Sequence, residues 1–159
     1  MESNVQSFSP RPASHDDLDQ ILEIEKKAYP LPWTREAFSE EFKKPYSHFL
    51  VLTDDETDSI IAGYTVFWIV FDECTIQNVT VNLEYRGLQF GTKIVRLVID
   101  EAMHANCKKV LLEVRKYNDA AIKLYQKAGF FIEHIKKGFY QNGEDAYSMA
   151  LFLSIDQMQ

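Results

Sequence analysis

Apolar residues recur along this chain with two different periods, and the switches between them mark out its elements. Leu18, Ile21, Leu22 and Ala28 fall on one face at helical spacing, and Ser14 followed three residues later by Asp17 has the form of a capping arrangement. A first helix is predicted over about residues 15–28. The segment Y-P-L-P-W, Tyr29 to Trp33, cannot continue that helix through Pro30 and Pro32, and Thr34 caps a second, short helix ending near Phe42. Upstream, Ser7 to Ala13 reads as a short strand that Pro10 and Pro12 confine to a sheet edge. His48 to Thr53 and Ile60 to Phe71 read as strands joined by the acidic turn D-D-E-T-D-S, Asp54 to Ser59. Thr75 to Val81 follows, so these three strands are expected to form an antiparallel meander.

The second half alternates strand and helix. A helix from about Gly91 to His104 precedes a strand at Lys109 to Val114, and a further helix, Asp119 to Ala128, starts from Asn118 as its cap. A strand, helix, strand crossover of this kind places its two strands parallel and is right-handed, so residues 75–81 and 109–114 should be parallel neighbours. Their carboxyl ends then lie on one side, the edge at which open α/β sheets bind ligands. Phe130 to Lys136 and Tyr147 to Leu153 read as two last strands, with breaks at Gly129 and in the Gly138 to Asp145 loop.

Between the meander and the long helix lies V-T-V-N-L-E-Y-R-G-L-Q-F-G-T, Val79 to Thr92. A strand here delivers a polar loop with Gly87 and Gly91 into a helix. The first N–H groups of a helix have no intrahelical partner and sit at the positive end of its dipole. With loop amides and Arg86 they form a seat for a phosphate or pyrophosphate. A plain connection that only starts a helix would have the same letters, because two glycines carry little specificity.

Leu112 to Phe130, L-E-V-R-K-Y-N-D-A-A-I-K-L-Y-Q-K-A-G-F, brings three polar groups to the same expected crevice. Glu113 ends a strand between Leu112 and Val114, where partial desolvation would favour it as a base near neutrality. An ion pair with a neighbour such as Arg115 is the structural alternative. Asn118 and Tyr125 are two helical turns apart on one face, with the small Ala121 between them leaving room for a ligand chain. Tyr125 also fits a half-buried core aromatic with its hydroxyl at the surface.

With 159 residues, 46% hydrophobic and 13% aromatic, the chain suits a single domain spanning residues 1–159 with a sizeable core. No apolar run approaches the roughly 20 residues that span a bilayer, and Met1 to Ser14 lacks both a basic start and an apolar signal core. A cytoplasmic location without a membrane partner is expected. Cys74 and Cys107 are far apart and read as reduced structural thiols. His15, His48, His104 and His134 form no ligand-spaced pair, so no metal is expected. The net charge of −7 argues against nucleic acid as a direct partner and is compatible with an amine-bearing substrate.

Three stretches, N-V-T-V-N-L-E-Y-R-G-L-Q-F-G, L-E-V-R-x-x-N-x-A-A-I-x-L-Y-x-x-x-G-F and the tail F-Y-x-N-G-E-D-A-Y-x-M-A-L, resemble the GCN5-related N-acetyltransferase (GNAT) superfamily. Within it they are most similar to the ribosomal-protein-alanine N-acetyltransferases, and the resemblance runs from about Ser14 to Leu151. It implies the α/β (α+β) GNAT fold, a mixed central sheet of about six to seven strands with about four helices, an antiparallel N-terminal meander and a parallel pair at the acetyl-CoA crevice. It also implies that main-chain groups of Val79, Thr80 and Val81 hold the pantetheine arm and thioester of acetyl-CoA. Arg86, Gly87, Leu88, Gln89, Phe90, Gly91 and Thr92 would wrap the pyrophosphate, and Asn118 would touch the cofactor beside it. Glu113 would accept the proton of the amine and Tyr125 would protonate the departing thiolate. Tyr29 and Trp33 fall in the family's substrate-side loop, and Tyr140 of the tail motif joins them. One position departs from the pattern: Gln89 stands where the family loop has its middle glycine, so either its φ is compatible or the loop shifts, and cofactor affinity is the property affected.

The chemistry constrains the acceptor. A protonated amine has no lone pair for attack on a thioester, and an α-amine with a pKa of about 7.7–8.0 is far easier to neutralise than a lysine near about 10.4. The expected acceptor is therefore a protein N-terminus, the alanine of a small-subunit ribosomal protein by resemblance. A polyamine or other small amine is the alternative acceptor, and a catalytically silent acyl-CoA-binding sensor is the alternative of another class.

Overall fold

A computed structural model describes residues 6–153. Among these, the elements in chain order are β1 (Phe8–Pro12), α1 (Leu18–Ala28), α2 (Arg35–Glu41), β2 (Ser47–Asp54), β3 (Ile61–Val70), β4 (Glu73–Val81), α3 (Phe90–His104), β5 (Lys109–Arg115), α4 (Asp119–Lys127), β6 (Phe131–Lys136) and β7 (Ala146–Phe152). The strands form one seven-stranded sheet in the order β1-β2-β3-β4-β5-β7-β6. β1 pairs antiparallel with β2 at the sheet edge, where its two prolines place no demand on an inner ladder. β4 and β5 are the parallel pair, registered from Glu73↔Lys109 to Ile76↔Leu112. The expectation for Met1 to Ser14 concerns in part residues 1–5, which lie outside the described residues.

Two features differ from the pattern-based outline. The first helix opens with a 3-10 turn, His15–Asp17, before α1 begins. Asp17 explains the tighter start: its carboxylate accepts the Ser14 N–H at 2.8 Å and two guanidinium N–H groups of Arg11, each at 2.8 Å. Arg11 holds the Asp17 carboxyl below the usual carboxylate range. The other difference is that β7, last in sequence, inserts between β5 and β6, pairing antiparallel with both.

The chain divides into two compact units, one running to Val66 with Asn78–Ile94, the other made of Phe67–Gln77 and the residues from Val95 onward. In the first unit the alternation of β2 splits the core into two layers. Phe49 and Val51 join Leu18, Ile21, Ile24, Phe38, Ile61, Tyr64 and Val66, while Leu52 joins Phe8, Ala62 and Ile94. Each fully buried side chain of this size contributes about 1.5–3 kcal/mol. The acidic turn between β2 and β3 is held by Asp54, whose carboxylate accepts the N–H groups of Thr57, Ser59 and Ile60 at 2.7, 3.1 and 2.9 Å.

In the second unit β5 buries Val110, Leu112 and Val114 and turns Lys109, Leu111, Glu113 and Arg115 to the less buried face. α4 ends at Gly129, whose φ of +105° lets the Phe130 N–H return to Tyr125 O at 3.0 Å. Cys74 and Cys107 are free and buried, and burial pushes the Cys74 thiol up to about 12, so it stays protonated.

Gly63 is a packing constraint of the first unit. A Cβ there would lie 2.7 Å from Thr80 O and 2.6 Å from Ile94 Cδ1. Gly63→Ala is expected to destabilise the protein by about 1–3 kcal/mol through this overlap; a urea melt with an unchanged midpoint would show that β3 and β4 can separate freely.

Candidate active site

β4 carries the first group of site residues. Thr80 is buried and Val79 and Val81 are partly exposed. Past Val81, Asn82 turns the chain: its N–H bonds Ala62 O at 2.8 Å and its Oδ1 accepts the Glu84 N–H at 3.2 Å. Arg86, Gly87, Leu88 and Gln89 follow as exposed residues, Gly87 at φ +81°. Gln89 adopts φ +63°, the left-handed region that glycine occupies freely, so the departure from the family loop is absorbed by backbone strain. Its carbonyl accepts the Lys93 N–H at 3.1 Å and closes the first turn of α3. The amides of Phe90, Gly91 and Thr92 therefore have no acceptor within this 15-residue helix. A pyrophosphate fits such a set of donors beside Arg86.

In the same unit the Y-P-L-P-W segment is tied to β4. The Tyr29 hydroxyl donates to Val79 O at 2.8 Å and lies 2.9 Å from Thr80 Oγ1. Trp33 packs its ring against Phe38, centroids 5.0 Å apart, and its main-chain N–H donates to Glu25 Oε2 at 3.0 Å. Glu25 is buried on α1 and also receives the Tyr64 hydroxyl at 2.5 Å and the Asn78 amide at 3.2 Å. Burial and the adjacent carboxylate push the Tyr64 phenol far up, which keeps it a donor. Pattern reasoning passed over Glu25, although one signal was available: it follows Leu18 and Ile21 at i+7 and i+4, a charged residue at a core position of an amphipathic helix.

The second unit holds the other group. Glu113 pairs with Lys136, Nζ to Oε1 2.6 Å, and not with Arg115. Arg115 instead bonds Glu144 at 3.0 Å and lies 3.9 Å over the Tyr140 ring. The tail motif now has a physical account. Gly143 N–H closes a turn onto Tyr140 O at 2.9 Å, Glu144 anchors to Arg115, and Asp145 Oδ1 accepts the Gly138 N–H at 2.9 Å. Tyr140 is thereby placed beside the charges at the end of β5, and burial raises its phenol above the usual range. Asn118 caps α4 by accepting the Ala121 N–H at 3.2 Å. Tyr125 is buried and packs edge-on against Phe130, centroids 5.7 Å apart. Among the described residues no cluster of His, Cys, Asp and Glu has the makings of a metal site, and no helix is long and apolar enough to cross a membrane.

The model of the acetyltransferase (GNAT) family matches residues 18–130. The chain belongs to that family. It is thus an acetyl-CoA-dependent N-acetyltransferase. A Bacillus subtilis protein assigned provisionally as ribosomal protein bS18-alanine N-acetyltransferase is 38% identical over 84% of this chain and 88% of its own length. The ribosomal protein bS18-alanine N-acetyltransferase of Salmonella typhimurium is 31% identical over 89% of this chain and 95% of its own. Among solved structures, the ribosomal-protein-S18-alanine N-acetyltransferase from Escherichia coli superposes with a TM-score of 0.83 at 29% identity, covering 93% of this chain and 95% of that one. The GNAT assignment and the mixed sheet with one parallel pair agree with the expectations drawn from sequence.

Strain at Gln89 is directly testable. A non-glycine residue in the left-handed region costs about 1–2 kcal/mol, offset in a glycine variant by about 0.4–1 kcal/mol of unfolded-chain entropy. Gln89→Gly is expected to leave the urea midpoint unchanged or raise it slightly; a clear loss of stability would mean that the glutamine side chain itself holds the loop.

Proposed function

We propose that this N-acetyltransferase modifies the N-terminal α-amine of a protein, the alanine of ribosomal protein bS18, and does so as one domain in the cytoplasm. The observation that carries the substrate is the likeness, over nearly the full length on both sides, to proteins named for that reaction. Chemistry supports the amine class: at pH 7.5 roughly a third of an α-amine is neutral against about a thousandth of a lysine.

Bound acetyl-CoA supplies an acyl carbon to which the neutral amine adds as the carbon–sulfur bond breaks. The amides of Phe90, Gly91 and Thr92, with Arg86 and the loop Gly87–Gln89, hold its pyrophosphate, and main-chain groups of Val79, Thr80 and Val81 hold its pantetheine arm. Asn118, in the second unit, touches the cofactor. Glu113 takes the proton from the amine; its side chain is 28% exposed, which leaves it open to the acceptor, and Lys136 engages one of its oxygens at 2.6 Å. Tyr125 returns a proton to the leaving sulfur. Tyr29 and Trp33 in the first unit contact the acceptor, and so does Tyr140 in the second.

The deciding experiment is intact-mass spectrometry after incubation with acetyl-CoA and two peptides, one with a free N-terminal alanine and one N-terminally blocked but containing lysine. One added acetyl group on the alanine peptide alone is expected. Acetylation of the lysine peptide alone, or of spermidine in a parallel reaction, replaces the proposal with a side-chain or polyamine acceptor, and no transfer at all despite acetyl-CoA binding replaces it with a silent binding module.

The two proton-transfer roles are read from rates. Tyr125→Phe is expected to lower kcat about 10²-fold while acetyl-CoA still binds, and Glu113→Gln to lower kcat/KM comparably and flatten the acid limb of the pH profile. An unchanged kcat in Tyr125→Phe removes Tyr125 as the acid, and an unchanged pH profile in Glu113→Gln removes Glu113 as the base.

A further inference from the structure

Glu25 is 1% exposed, and its described partners, Trp33 N–H, the Tyr64 hydroxyl and the Asn78 amide, are all neutral. A carboxylate taken out of water without a cation is costly, and an apolar residue at this position of α1 would satisfy the helix pattern at no such cost. What leucine would not do is accept hydrogen bonds from a loop, from β3 and from β4 at once.

Those bonds continue beyond Glu25. Asn78, which donates to Glu25, accepts the Thr80 hydroxyl at 2.6 Å. Thr80 gives its one proton to Asn78, so the Tyr29 hydroxyl shares its own between Val79 O at 2.8 Å and Thr80 Oγ1 at 2.9 Å. Tyr29 and Trp33 are the two ends of Y-P-L-P-W. Glu25 therefore holds the segment at both ends, directly at Trp33 and through Asn78 and Thr80 at Tyr29, while Pro30 and Pro32 stiffen what lies between.

Resting on the N-terminal acetyl transfer proposed above, we infer that Glu25 is a positioning residue for the acceptor: it fixes Tyr29–Trp33 as a rigid wall for the acceptor peptide, in register with the Val79–Thr80 main chain. Glu25 touches neither substrate. Its influence passes through the Trp33 main chain and the Tyr29 hydroxyl.

The test uses the full chain and the Glu25→Gln variant, which keeps the side-chain shape but replaces one acceptor oxygen with a donor amide. Peptide KM is expected to rise about 10-fold, the loss of one hydrogen bond to a charged group, with kcat altered much less and the acetyl-CoA Kd from calorimetry unchanged. Exchange of the Trp33 amide proton, followed by NMR without turnover, is expected to speed up about 10-fold. Asp17→Asn is the control for a carboxylate that only stabilises: it should lower Tm and leave both KM and Trp33 exchange alone. If Glu25→Gln behaves like Asp17→Asn, the positioning role is overturned. Should Glu25→Gln fail to fold, Thr80→Val cuts the link between Asn78 and Tyr29; a raised peptide KM supports the relay and an unchanged one overturns it. A wild-type protein that acetylates no N-terminal peptide defeats the proposed function, and Trp33 exchange then still decides whether Glu25 holds the segment.

Discussion

A carboxylate buried away from water has to be surrounded by donors. That requirement at Glu25 draws together parts of the first unit that its apolar layers alone would not align. Hydrophobic burial brings α1 and α2 against β2 and β3 through Ile21, Phe38, Phe49 and Tyr64, but apolar contact is non-directional. The hydrogen bonds from Trp33, Tyr64 and Asn78 are directional. They select one arrangement. Gly63 acts on the same strands from another side, since the space above it is already taken by Thr80 O and Ile94.

The second unit organises its charges differently. Glu113 with Lys136 and Arg115 with Glu144 are partly exposed pairs, and pairs of that kind contribute about 0–1 kcal/mol to stability. Their value lies in placement. The Arg115 guanidinium over Tyr140, together with the turn from Tyr140 to Glu144, fixes the β6–β7 loop to the end of β5. Glu113 has one oxygen engaged by Lys136 at 2.6 Å, which narrows where the other can point.

The elements were largely legible in the sequence because periodicity reports which face of each element is buried; β4 and β5 alternate as that predicts, whereas β3 is buried on both faces from Ile61 to Phe67 and β6 is exposed along most of its length. The family was legible because its loop and helix motifs are local in sequence. What escaped was non-local. That β7 slots between β5 and β6 depends on pairing partners, and both orders satisfy the same alternation. Local spacing offers Arg115 as the alternative ion-pair partner of Glu113, yet Lys136, on a strand separated from β5 by β7, takes that place. Glu25 was hidden for the opposite reason: its helical position was visible, but the donors that make a buried charge tolerable come from Trp33, Tyr64 and Asn78, which no single stretch displays together.

Gln89 shows how a departure from a family motif can leave the proposed chemistry in place. Glycine in such a loop contributes conformational freedom, whereas anion recognition is a property of N–H groups that point outward from the start of a helix. With Gln89 at φ +63° its carbonyl still receives the Lys93 N–H, so α3 begins where it should and the amides of Phe90, Gly91 and Thr92 keep their places. The substitution therefore loads its cost onto folding stability and not onto the donors. Read by backbone conformation, the position keeps a glycine-like φ and the start of α3 under modest strain.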